Sequence, residues 1–128
     1  VASLANDFIL ARRVGDAIPG LWKNHGDVYF TNAGKGFRPK PVAKLLNPQS
    51  GRLMEIHSTE PCIQLYTGVS LDGTLTGKSG RSYGPHSALC LECEGYPNGV
   101  NDPHLGNIIL RPGETYRQTT IHKFSVVT

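Results

Sequence analysis

The chain has 128 residues, 38% of them hydrophobic and 18% charged, the composition of one soluble globular domain with a core of its own. No apolar run approaches the roughly 20 residues that a membrane-spanning helix needs. A net charge of +3 is too mild to mark a dedicated nucleic-acid binder.

Charge is uneven along the chain. Residues 1–44 carry seven Lys or Arg against three Asp or Glu, and residues 45–128 carry six against seven. The basic residues of the front (Arg12, Arg13, Lys23, Lys35, Arg38, Lys40, Lys44) are dispersed with few aromatics between them, which reads as solvated surface. Three cysteines make no disulfide framework and fit a reducing compartment. The opening VASLANDFILARR has no basic leader ahead of its apolar part, so it does not read as a secretory signal. The expected location is cytoplasmic.

In chain order, residues 2–13 fit a short amphipathic helix with Leu4, Phe8 and Ala11 on one side and Asp7 on the other. Residues 15–40 are rich in Gly, Pro, Asn and Lys and read as loop, apart from one strand-like piece, Asp27-Val28-Tyr29-Phe30. The expected division is a loop-rich, basic N-terminal segment, 1–43, and a β body, 44–128. Within the body, PVAKLLN and RLMEIHS flank the turn Pro48-Gln49-Ser50-Gly51 and predict a hairpin over 41–58. CIQLYTG (62–68) is a further strand, residues 70–84 a polar glycine-rich loop, and ALCLECE (88–94) a third core strand. NIILR and TYRQTTIHKFSVV, joined through Pro112-Gly113-Glu114, predict a last hairpin. The fold class is mainly β.

Cys90-Leu91-Glu92-Cys93 raises a chemical question. Alternation along a strand puts Ala88, Cys90, Glu92 and Glu94 on one face and Leu89, Leu91 and Cys93 on the other. Two thiols on opposite faces do not chelate one ion, and a zinc CxxC sits on a tight turn with two further ligands. A redox CxxC opens a helix, whereas here the motif runs into Gly95-Tyr96-Pro97. The cysteines therefore read as free packing thiols, with no metal. Glu92 is then left to be explained, either as an edge-strand carboxylate facing water or as a working carboxylate at a cleft mouth.

SGRLMEI, TEPCIQLYTG, LDGTLTGKSGRSYGPHSALCLE, YPNGVN and ILRPGETYRQTTIHKFSV succeed one another over most of residues 50–127. In this order and spacing they resemble the C-terminal part of the aldose 1-epimerases, the galactose mutarotases. The resemblance implies a β-sandwich of the galactose mutarotase type, of which this chain holds only the C-terminal portion. It implies interconversion of the α and β anomers of a hexose such as galactose or glucose, without a cofactor. The glutamate of the CLE segment, Glu92, is then the catalytic base, and Gln64 of the QxYTG strand binds the sugar. Asn101 is also placed at the sugar; it closes a segment that in the family reads Pro-Asp-Ala-Val-Asn and here carries Asn98 and Gly99 in place of Asp and Ala.

An acid must protonate the ring oxygen while the base takes the proton of the C1 hydroxyl, and a protonated imidazole suits that role. The fragment Lys23-Asn24-His25-Gly26-Asp27-Val28-Tyr29-Phe30 is similar to the family's Asn-His-x-Tyr-Phe and makes His25 the candidate acid, with His86 and His104 as runners-up. Where the family carries Gly-Phe-Asp-His, this chain has Gly36-Phe37-Arg38-Pro39, so the family's sugar-binding aspartate has no counterpart. The expected partner is a monosaccharide, with no nucleic acid and no membrane. Self-association or a companion chain would complete the sandwich. A non-catalytic carbohydrate-binding or structural module of the same fold is the alternative function.

Overall fold

The computed structural model describes residues 4–21, 26–33 and 37–128. It contains a one-turn helix α1 (Val14–Ala17) and six strands: β1 (Asp27–Phe30), β2 (Lys40–Leu46), β3 (Arg52–Ser58), β4 (Cys62–Tyr66), β5 (Cys90–Glu94) and β6 (Thr120–Val126). Short 3₁₀ turns span Ile18–Gly20 and Pro103–Leu105. The strands form two three-stranded sheets, of order β1-β4-β5 and β2-β3-β6. The mainly β class read from the sequence holds.

The hairpin β2–β3 is dictated locally. Asn47 Oδ1 accepts the N–H groups of Gln49 (3.0 Å) and Ser50 (3.1 Å), and Asn47 N–H donates to the carbonyl of Arg52 at 2.9 Å. Gly51 closes the turn at φ 67°, a conformation that disfavours any Cβ. A Cβ there would also lie 2.3 Å from the Val127 carbonyl oxygen. The pairing then runs Leu46–Leu53, Leu45–Met54, Lys44–Glu55 and Ala43–Ile56, with an irregularity between Pro41 and Ala43. Pro41 has no N–H to give to a ladder, and an edge strand with a bulge tolerates that.

The other side of β3 is taken by β6, antiparallel, from Arg52–Val126 to Ser58–Thr120. Here the structure corrects the expected last hairpin. Residues 107–111 form no strand, and the Arg111–Glu114 turn is closed by Glu114 N–H donating to the Arg111 carbonyl and by the Glu114 carboxylate accepting the Arg111 N–H. The apolar half of TYRQTTIHKFSVV finds a better partner in the open edge of β3 than in its immediate neighbour.

The amphipathic helix expected over 2–13 is not formed in residues 4–13 either. Asp7 Oδ1 accepts the Ile9 N–H at 2.9 Å, a local side-chain bond that competes with the helical ladder. The helical turn begins only at Val14.

Two compact units are present: Val1–Val28 with Gln64–Leu91, and Tyr29–Ile63 with Glu92–Thr128. The first buries Ala17, Leu21 and Leu65. Asn6 donates to the buried Asp27 at 2.9 Å, and Gly26, at φ 88°, lets the backbone pass so close to Leu65 that a Cβ would lie 2.2 Å from its carbonyl oxygen. Its polar loop 70–84 is a small ladder rather than coil. Gly73 N–H donates to the Tyr83 carbonyl, Tyr83 N–H to that of Leu75, and Thr76 bridges Ser82. The second unit buries Ala33, Leu53, Ile56, Cys62 and Ile63.

Within that second unit, β6 is exposed along nearly its whole length, with Phe124 and Val126 showing 74% and 66% of their surface. An apolar groove of about 500 Å³ runs along Leu45, Leu53, Met54, Phe124 and Val126. Ile56, fully buried in the middle of β3, is the largest side chain sealed inside the protein among the described residues. Ile56→Ala removes three carbons from that position and is expected to cost about 2–5 kcal/mol, read as a lowered urea midpoint.

Candidate active site

Glu92 is the third residue of β5, and its side chain is exposed while Leu91 and Cys93 on the opposite face are half-buried. Glu94 comes next on the same face, half-buried, with Oε1 sealed from solvent and without a hydrogen-bond partner among the described residues. Burial, and then the charge of Glu92, push the Glu94 carboxyl above the usual carboxylate range. One strand face therefore presents two carboxyls of unlike burial, Glu92 exposed and Glu94 half-buried. The bland reading of Glu92 as a solvated edge carboxylate describes its exposure but leaves Glu94 unaccounted for.

A polar corner that no sequence pattern announced holds Cys62, Glu60, Ser58, Tyr116 and Thr120. The Cys62 thiol, fully buried, is pushed up to about 11 by burial and then by the Glu94 and Glu60 charges. Glu60 is buried too and accepts a short hydrogen bond from the Tyr116 hydroxyl, which that bond, with burial, pushes up to about 12. The Glu60 N–H donates to Ser58 Oγ at 3.0 Å, and Ser58 and Thr120 share a hydroxyl bond at 3.1 Å. Glu60 and Tyr116 are 56 residues apart, too far for any local pattern to reveal.

Asn101 stands in the turn beyond β5. Its N–H donates to the Asn98 carbonyl at 3.0 Å and its Nδ2 to Asn98 Oδ1 at 3.0 Å, so the carboxamide is oriented by the residue that replaces the family's Asp. Gly99 is buried beneath this turn, where a Cβ would meet the Ile108 side chain at 2.7 Å, the physical reason for glycine in place of alanine. Tyr96 at the head of the turn packs edge-to-face on Phe30, with ring centroids 5.6 Å apart.

Gln64 is the third residue of β4 and half-buried. It belongs to the first unit, whereas Glu92 and Asn101 belong to the second. His25 lies outside the described residues. Of the runners-up, His86 shares a 2.9 Å hydrogen bond with Thr67 Oγ1 and sits at φ 61°, a left-handed conformation uncommon for a residue with a Cβ. His104 is exposed in the 3₁₀ turn, its N–H donating to Asp102 Oδ1 at 3.0 Å. Neither Glu92 nor Asn101 lines the apolar groove of the β2-β3-β6 sheet. All three cysteines are free thiols, and no group of three or more His, Cys, Asp or Glu among the described residues is placed to hold a metal ion. Nor is any helix among them long and apolar enough to cross a membrane.

The model of the aldose 1-epimerase family matches residues 2–123. The chain belongs to the aldose 1-epimerase family. Galactose mutarotase of Bos taurus is 50% identical over 93 residues, which are 72% of this chain and 27% of the bovine protein. The aldose 1-epimerase of Haemophilus influenzae is 33% identical over 87 residues, 66% of this chain and 25% of that one. The solved structure of a GalM/aldose epimerase homologue from C. elegans superposes with a TM-score of 0.78 at 23% identity, covering 100% of this chain and 38% of that chain. The fold is thus that of part of an aldose epimerase, and the sequence match to the mutarotases falls in their C-terminal portion. The chain spans about a quarter of the length of the curated relatives it matches.

The buried Cys62 thiol and the exposed Tyr116 hydroxyl bonded to Glu60 have a measurable consequence. In the unfolded chain Cys62 loses its proton at its ordinary 9.0 and Tyr116 at 10.0, whereas in the fold both hold it longer, to about 11 and about 12. A folded group with a raised value contributes its stability below the unfolded value and loses it as pH rises through the folded one. Urea midpoints measured across the alkaline range are expected to fall between pH 9 and 12, and Tyr116→Phe to remove the upper part of that loss.

Proposed function

We propose that this chain works as an aldose 1-epimerase, interconverting the α and β anomers of a hexose such as galactose or glucose. The observation that carries the reading is Glu92: the family's CLE glutamate is exposed on β5, while its neighbour Glu94 is half-buried. Glu92 takes the proton of the C1 hydroxyl as the ring C1–O bond breaks, and the acid, His25, protonates the ring oxygen. The open-chain aldehyde turns about C1–C2, and the hydroxyl adds back to the other face of the carbonyl with the proton transfers reversed. Gln64 and Asn101 hold sugar hydroxyls, a task suited to carboxamides that both donate and accept. Every step is a proton transfer or a ring opening, so the chemistry calls for no metal or organic cofactor, and the free thiols suit a cytoplasmic setting.

Polarimetry of freshly dissolved α-galactose and α-glucose tests the reading. Glu92→Gln keeps the shape and removes the base, and is expected to slow mutarotation by about 10²–10⁴-fold. An unchanged rate in that variant would move the base elsewhere. Sugar binding without turnover in the unmodified chain would make it a binding module of the same fold.

The catalytic species is an assembly, formed with a second copy or with a companion chain. Among the described residues, strand β6 leaves one edge of its sheet unpaired in the order β2-β3-β6 and exposes Phe124 and Val126 beside the apolar groove. Such an edge invites strand addition. Sedimentation across a dilution series is expected to show mass above that of one chain; a monomer with full activity would overturn this part.

A further inference from the structure

Asn98 and Gly99 stand in the turn beyond β5, close to Asn101. Of the seven asparagines in the chain, Asn98 alone is followed by glycine. That dipeptide has a reaction of its own, in which the glycine nitrogen attacks the asparagine carboxamide. With no Cβ on the glycine, nothing on that residue shields the approach. A Cβ at Gly99 would lie 2.7 Å from the Ile108 side chain. The packing that requires glycine here therefore also supplies the reactive pair.

The turn holds both reacting groups. Asn98 is exposed and Gly99 buried. The Gly99 N–H, the nucleophile in waiting, donates to the Tyr96 carbonyl at 2.9 Å. Asn98 Oδ1 accepts Asn101 Nδ2 at 3.0 Å, which fixes the carboxamide toward Asn101. The Asn98 carbonyl accepts the N–H groups of Asn101 at 3.0 Å and Asp102 at 3.1 Å. Ring closure requires the nitrogen to leave Tyr96 and the carboxamide to turn from Asn101, so both bonds oppose it.

We propose that Asn98–Gly99 is a spontaneous deamidation site that the fold keeps closed and that reacts when this turn opens. In the reaction the Gly99 nitrogen gives its proton to water or hydroxide and bonds to Asn98 Cγ. The Cγ–Nδ2 bond breaks, and Nδ2 takes up a proton and leaves as ammonia. Water then opens the succinimide at one of its two carbonyls, giving aspartate or isoaspartate; nothing is oxidised or reduced. Aspartate leaves the backbone of the turn unchanged and still accepts from Asn101 Nδ2, now as a carboxylate. Isoaspartate inserts a methylene into the backbone and removes the bonds that the Asn98 carbonyl makes to Asn101 and Asp102. Either product places a new negative charge beside Asn101 at neutral pH. Local opening of the turn, rather than sugar chemistry, sets the rate.

The test ages the full chain at neutral pH, folded and in guanidinium chloride, then digests it with pepsin in acid and maps the peptides by mass spectrometry. In the unfolded chain, conversion of amide to acid is expected at Asn98 ahead of every other asparagine. In the folded chain it is expected to run about 5- to 150-fold slower, the factor that two hydrogen bonds of ordinary net strength impose. Asn101→Ala, at an exposed position, removes one of the two bonds. It is expected to raise the folded rate and leave the unfolded rate unchanged. Asn98→Gln, too long to close a five-membered ring, is expected to abolish conversion at this position. Equal rates in the folded and unfolded chain would overturn the proposal. So would a folded rate untouched by Asn101→Ala, or an unfolded chain in which Asn98 is not the first asparagine to convert.

Discussion

The register of β3 between β2 and β6 is the constraint on which the second unit depends. Ile56 and Ser58 are fully buried, while Glu55 and His57 alternate with them toward the other face. Because side chains alternate with a period of two, a slip by one residue would bring Glu55 and His57 to the buried positions. Sliding is prevented at one end of the strand by the Asn47–Gly51 turn. At the other end, Thr59 and Thr119 exchange bonds and Ser58 meets Thr120. The Lys44–Glu55 ion pair at 3.6 Å adds little to this, since Lys44 is mostly in water and Glu55 only half-buried.

The chain beyond β3 inherits that register. Glu60 is placed two residues past Ser58 and tied back to its hydroxyl, and Cys62 opens β4 two residues later. Thr31 donates to the carbonyls of Glu60 and Pro61 at 3.1 Å each, joining the end of β1 to the same corner.

How far the sequence could be read depends on how local each determinant is. The β2–β3 hairpin was legible because alternation, Asn47 and Gly51 all lie within about twenty residues, and β1, β4 and β5 because their apolar runs are bounded by turn residues. The expected helix over 2–13 failed on one short bond, Asp7 to Ile9, which an apolar period does not register. The final hairpin failed because β6 pairs with β3, 62 residues away along the chain at Ser58–Thr120, and nothing in 107–126 encodes that choice. At the candidate site, Glu92, Gln64 and Asn101 are proposed through motif resemblance alone. The unequal burial of Glu92 and Glu94 was not legible, because alternation gives both the same face and says nothing of how much chain covers each.

The three thiols span the range of solvent access: Cys90 exposed, Cys93 half-buried and Cys62 sealed. Alkylation requires the thiolate and a path to it, and Cys62 is denied both while the fold is closed. The chain therefore carries its own graded set of labelling clocks. Cys90 marks every molecule at once, while Cys62 is marked only when β4 comes away from its surroundings. A mass spectrum of partly alkylated protein would thus count opening events at the start of β4, with no added dye or tag.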